Sequence, residues 1–95
     1  MNAVLMISER DNVATALEAI DAGREIRAGA RTIVVSEAIP RGHKVAVCAI
    51  HAGEPVVKYG SPIGTASTDI AAGTHVHTHN VASTRGRGDL AAEAR

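Results

Sequence analysis

One pattern recurs four times in this chain and limits what it can fold into. Ile20-Asp-Ala-Gly23-Arg-Glu-Ile26, Ile39-Pro-Arg-Gly42-His-Lys-Val45, Ile50-His-Ala-Gly53-Glu-Pro-Val56 and Ile70-Ala-Ala-Gly73-Thr-His-Val76 share the form Ile-x-x-Gly-x-x-(Ile/Val). Its physical reading is local. The Ile plugs a core, two residues make a tight turn, the Gly takes a positive φ, and the last aliphatic starts a strand. The copies are unevenly spaced, which excludes a regular solenoid. They predict a small barrel-like β fold whose corners reuse one turn.

Composition agrees with that scale. The 95 residues leave room for one domain. Hydrophobic residues are 45% of the chain, yet Phe and Trp are absent and Tyr59 is the lone aromatic. The core must therefore be built from Val, Ile, Leu and Ala. Without rings there is no base-stacking platform, and a formal charge of zero gives no pull toward nucleic acid or anionic lipid. No apolar run is long enough to span a bilayer, and the N-terminus lacks a secretory pattern. A single cysteine, Cys48, permits no internal disulfide. The expected setting is the cytoplasm, with no nucleic-acid or membrane partner.

Along the chain, Ala3 to Ile7 reads as a strand. Asp11 has the character of a helix N-cap, and Val13, Leu17 and Ile20 fall on one helical face. This predicts one short N-terminal helix over roughly Asn12 to Asp21. Beyond Gly23 the segments Arg24–Ala28, Arg31–Ser36, His43–Ala49, Pro55–Tyr59 and Thr74–Val81 read as short strands between Gly and Pro. Residues 1–83 form the expected domain. Residues 84–95 lose the Val and Ile content and read as a flexible tail carrying Arg85 and Arg87.

The sharpest local cluster is Thr74-His75-Val76-His77-Thr78-His79-Asn80. If the segment is extended, His75, His77 and His79 share one face. Two such imidazoles can converge on one divalent ion, whereas three in a row rarely all reach it. Spacing alone suits metal or substrate contact and a solvated polar face alike. Gly42-His43-Lys44 occupies the turn of the second copy, where His43 can carry a proton near neutral pH and Lys44 can pair with a carboxylate. Lys58-Tyr59-Gly60 holds the other lysine and the one ring. His51 reads as an exposed turn residue and Cys48 as a small core hydrophobe. Carboxylate pairs, glycine-rich phosphate loops, Cys-x-x-Cys and Ser/His/Asp signatures are missing from the sequence. So small a β domain has little volume for an enclosing cleft, so any catalysis is expected beside a larger protein.

Taken in order, DNVATAL from Asp11, IPRGHKVA from Ile39, GEPVVKYG from Gly53, PIG from Pro62 and IAAGTHVHTHN from Ile70 resemble the SAF-type N-terminal domain of the altronate and galactarate dehydratase family. The resemblance covers residues 1 to 83. It implies a β-clip fold and a metal-dependent lyase that removes water from a sugar acid. The metal would be Fe(II) or another divalent ion, held in part or mainly by a partner. It also implies a large catalytic dehydratase subunit as that partner, with a small hydroxy acid as substrate. On the matched positions His43 and Lys44 would be catalytic. Lys58, Tyr59 and Asn80 would contact substrate, and His75, His77 and His79 would ligate metal. The small subunit of the related sulfolactate sulfo-lyase is similar too. A free-standing sugar-acid-binding module is the non-enzymatic alternative, and self-association stays open.

Overall fold

The computed structural model describes residues 3–83. Among them are nine short strands and no helix: β1 (Val4–Leu5), β2 (Val13–Ala16), β3 (Glu25–Ala28), β4 (Arg31–Val34), β5 (Lys44–Ala46), β6 (Pro55–Lys58), β7 (Ser61–Ala66), β8 (His75–Val76) and β9 (Val81–Ser83). The mainly-β expectation holds, and so does the expectation of many short strands. The proposed tail over 84–95 lies outside the described residues.

The four repeated turns close the structure in pairs. Ile20 and Ile39 form one antiparallel bridge, and Ile50 and Ile70 form another. Within each pair the isoleucines exchange backbone hydrogen bonds, Ile20 with Ile39 at 2.9 and 2.8 Å and Ile50 with Ile70 at 2.8 and 2.7 Å. Gly23 donates to the Val35 carbonyl at 2.7 Å, and Gly42 donates to Ala16 at 2.8 Å. Gly53 donates to Ala66 and Gly73 to Ala46, each at 2.8 Å. All four glycines have φ between 85° and 89°. Each turn also closes on itself, as where His43 N–H donates to Pro40 at 3.1 Å. A positive φ at the third of four turn residues is the type II arrangement, which is why glycine stands there. The aliphatics that end the motif, Ile26, Val45, Val56 and Val76, are all buried.

The central sheet has the order β1-β2-β5-β8, all antiparallel. Its pleat sends alternate residues of β2 and β5 to two separate cores. Ala14, Ala16, Val45 and Val47 join Ile20, Ile39, Ile26 and Val35 on one side. Val13 and Ala46 join Ile50, Ile70, Val56 and Val76 on the other. Each pair of repeats thus plugs one core with its isoleucines. Full burial of such a side chain contributes about 1.5–3 kcal/mol, so eight large aliphatics below 2% exposure replace the missing aromatic rings.

The helix expected over Asn12–Asp21 is absent. Val13–Ala16 is a strand inserted between β1 and β5, and Leu17 is 49% exposed. The helical spacing was coincidental, because pairing on both edges satisfies the segment's backbone groups better than an isolated short helix would. Asp11 does accept orphan N–H groups, but those of loops. Its carboxylate takes Ile7 and Ser8 N–H at 3.3 and 3.2 Å and Gly60 N–H at 2.8 Å. Burial alone would push this carboxyl up. The amides of Gly60, Ser8, Tyr59 and Ile7 outweigh it and hold Asp11 below the usual carboxylate value. The Thr74–Val81 strand is likewise shorter than expected: β8 ends at Val76, a turn follows, and β9 starts at Val81.

Candidate metal and acid–base site

The antiparallel register of β5 and β8 pairs Lys44 with Val76 and Val45 with His75. Continuing that register by one step sets His43 opposite His77. The rings respond accordingly. His43 and His77 stack with centroids 3.9 Å apart and planes 13° off parallel. His75 stacks on the same side, 5.0 Å from His43. His43 Nδ1 lies 2.8 Å from His75 Nε2, so one of the two nitrogens carries the hydrogen and the other accepts it. One candidate donor nitrogen from each of His43, His75 and His77 falls within 4.8 Å of the other two. All three side chains are half-buried.

Burial pushes both His75 and His77 below the ordinary imidazole value. For His75 the charges of His43 and His79 act the same way, and Glu37 opposes them. For His77 the charges of His43, Lys44 and His79 reinforce burial. His75 and His77 therefore favour the neutral imidazole, the form that ligates metal or accepts a proton. His79 is exposed, with its ring tilted 42° to that of His75 at a centroid distance of 5.1 Å, and it falls outside the three-nitrogen set. The turn after β8 takes it off the common face that an extended strand would have provided.

Lys44 departs from His43 for the same reason of pleat. It shares a face with Thr15 and Val76, opposite to that of Val45 and His75. Lys58 and Tyr59 are near enough to act on it electrostatically. Burial, then the Lys58 ammonium, push Lys44 below the usual lysine value, while Tyr59 opposes the shift. Lys58 Nζ sits 4.7 Å from the Tyr59 ring centroid. Neither lysine is in an ion pair among the described residues. Two neighbouring clusters result, three imidazoles and two ammoniums with a phenol, and Lys44 is near enough to be felt by His77.

Asn80 is not at the rim. It is buried, its Oδ1 accepts from His77 N–H at 3.0 Å, and its Nδ2 donates to the His75 carbonyl at 2.9 Å. With both amide atoms engaged by backbone, it clamps the turn that carries the imidazoles. Tyr59 has φ of 56° and Gly60 76°, the paired left-handed conformation of a type I′ hairpin turn. A tyrosine there is strained, and the Gly60 bond to Asp11 holds it in place.

Sequence reasoning missed two residues. Glu37 accepts from His75 N–H at 3.3 Å. Thr15 stands opposite Lys44, and its buried hydroxyl oxygen has no hydrogen-bond partner among the described residues. Neither has a local signature, since both enter through strand pairing. His51 lies apart and exposed, 4.0 Å from Asp69. Cys48 is half-buried against the first core and lines an open groove of about 570 Å³ with Arg31, Val34 and Ala72, which none of the imidazoles touches. No helix among the described residues is long and apolar enough to cross a membrane.

Residues 2–84 match the family model described as the altronate/galactarate dehydratase SAF domain. The chain is 44% identical over 80 residues to an altronate dehydratase of Bacillus subtilis, covering 84% of this chain and 16% of that enzyme. It is 46% identical over 76 residues to an altronate dehydratase of Escherichia coli, covering 80% of this chain and 15% of that enzyme. It is also 51% identical over 47 residues to (2R)-sulfolactate sulfo-lyase subunit alpha of Paracoccus pantotrophus, covering 50% of this chain and 70% of that subunit.

Proposed function

The chain belongs to the altronate/galactarate dehydratase SAF-domain family, and from that premise we propose that it is the small subunit of a sugar-acid hydro-lyase. In this reading it completes the active site of a separate large catalytic chain. The observation that carries it is the gathering of His43, His75 and His77 from two distant segments onto one surface. Such a cluster has no role in holding the cores. Its side chains are half-exposed, so a second protein would have to cover it before it worked in a dry site.

The chemistry demands groups of this kind. Elimination removes the proton α to a carboxylate and expels the β-hydroxyl as water, leaving an enol that tautomerises to the 2-keto-3-deoxy acid. The carbanionic intermediate carries charge beside an existing carboxylate and needs cations near it. Lys44 and Lys58 supply two ammoniums for the carboxylate, and Tyr59 supplies a hydroxyl. His43, His75 and His77 would hold a divalent cation through neutral ring nitrogens. A bound divalent cation, Fe(II) by the family resemblance, would add Lewis-acid stabilisation of the developing charge.

The second reading is the alpha subunit of a sulfolactate sulfo-lyase, in which sulfite leaves instead of water. The 51% identity over 47 residues to a protein named as that subunit supports it. Co-expression of the chain with the large chain it co-purifies with, followed by assay on altronate, galactarate and sulfolactate, separates the two. Turnover of a sugar acid supports the hydro-lyase, and sulfite release from sulfolactate replaces it with the second reading. If a stable complex turns over none of the three, both fall.

A further inference from the structure

We infer that His43, His75 and His77 together form a divalent-metal site on this chain, with His43 and His75 drawn from two of the repeated turns, His77 from the segment after β8, and His79 left out. The inference rests on the reading above only for what the ion does in catalysis; the binding itself is independent of any partner or substrate.

The geometry comes first. A metal–nitrogen bond of about 2.1 Å sets neighbouring ligands roughly 3.0 Å apart in an octahedron and roughly 3.4 Å apart in a tetrahedron. His43 Nδ1 and His75 Nε2 already stand 2.8 Å apart. The three-donor set fits within 4.8 Å. His77 is half-exposed, so its ring can turn about its side-chain torsions to close the remaining difference. The backbone beneath is held firmly: one buried amide, that of Asn80, ties His75 and His77 together at 2.9 and 3.0 Å. His43 is tied to the same sheet through its carbonyl, which accepts from Ala16 N–H at 2.8 Å.

The donor chemistry comes second. Three imidazoles and no thiolate suit late first-row ions such as Fe(II), Co(II), Ni(II) or Zn(II) and disfavour Mg(II) and Ca(II), which take oxygen ligands. All three rings lie on one side of the β5–β8 pair, so an ion they share keeps open positions facing away from the protein. That is the layout of a catalytic site. The HxHxH spacing alone cannot yield this set, because the third ligand is His43 across the sheet.

The test uses the tag-free 95-residue chain, stripped of metal and titrated with Co(II), with visible absorption and isothermal calorimetry as readouts. One equivalent is expected to bind and to produce ligand-field bands. His43→Ala and His75→Ala are each expected to weaken binding at least tenfold, whereas His79→Ala changes it less than about twofold. Amide NMR dispersion establishes that each variant is folded; should His75→Ala lose the fold, His43→Gln and His77→Gln carry the comparison. Absence of stoichiometric binding overturns the site, as does a His79→Ala loss as large as that of His43→Ala. Because no substrate or partner is present, a failed lyase assay leaves this result standing, and a failed titration leaves the lyase reading to its own test.

Discussion

His43 Nδ1 and His75 Nε2 are 2.8 Å apart although the residues belong to two different copies of the repeated turn. They meet because β5 and β8 pair in one register and no other. A one-residue slip would turn every side chain of β8 to the opposite face.

The contact implies that these imidazoles act as a unit. In the assembled enzyme, His43→Ala and His75→Ala are each expected to lower kcat by more than about tenfold, since each removes one nitrogen from the shared metal-holding set. The double variant should be scarcely worse than the weaker single one, since groups that work together are not additive. Steady-state kinetics with a folding control checks this. Losses below tenfold, or fully additive ones, contradict it.

The Lys58 ammonium, after burial, pushes Lys44 below the usual lysine value by like-charge repulsion. Lys58→Met removes that like charge, so the Lys44 pKa should rise toward the ordinary lysine value. The part of the shift due to burial, the larger cause, remains. Titration of ¹³C-dimethylated lysines by NMR reads this directly. A Lys44 value unmoved by the substitution would separate the two ammoniums.

Tyr59 sits at φ 56° in a turn whose favoured pair is Asn-Gly. Tyr59→Asn should therefore raise stability by about 1 kcal/mol, near the cost of a left-handed conformation for an ordinary residue. It should also impair substrate turnover in the assembled enzyme. Denaturant unfolding and kinetics test the two halves separately. A destabilised variant would show that the ring contributes packing instead, which its 50% exposure argues against.

Asp11 pins two loops through its carboxylate. Its folded pKa lies below the unfolded value of about 3.9. Its contribution is therefore complete above that pH and is lost as pH falls through the folded value. Asp11→Asn should cost about 2 kcal/mol at pH 7, in the range for hydrogen bonds to a charged acceptor. The gap to the wild type should close in strong acid. Urea unfolding at pH 7 and at pH 2 measures it, and a gap independent of pH would assign the loss to packing.

Gly42 and Gly73 occupy equivalent motif positions with φ of 85° and 88°. A Cβ on Gly42 meets nothing within 4 Å, whereas one on Gly73 is driven into the Val34 carbonyl oxygen. Gly42→Ala should cost about 1–2 kcal/mol for the left-handed backbone. Gly73→Ala should add about 1–3 kcal/mol of overpacking. Equal melting temperatures for the two would show that the β4 side yields freely.

The errors in reading the chain are as informative as the successes. Val13, Leu17 and Ile20 have helical spacing, but Ala14 and Ala16 are buried too, and a two-sided strand has no polar face to reveal itself. β7 has no strand signature in the sequence because Pro62 and Gly64 look like breakers. A bulge at Val56/Val57 lets Pro62 sit in that ladder. Asn80 was legible as polar and close to the histidines, yet its side chain is committed to the backbone.

What the sequence alone determined is local: four turns that need glycine at positive φ, and four strand starts that need an aliphatic in the core. Those demands act over seven residues and can be read from seven residues. Which turn pairs with which, and therefore that His43 joins His75 and His77 while Lys44 joins Lys58, was decided only in three dimensions. Strand register is set by filling two cores at once, and no short stretch of chain records it.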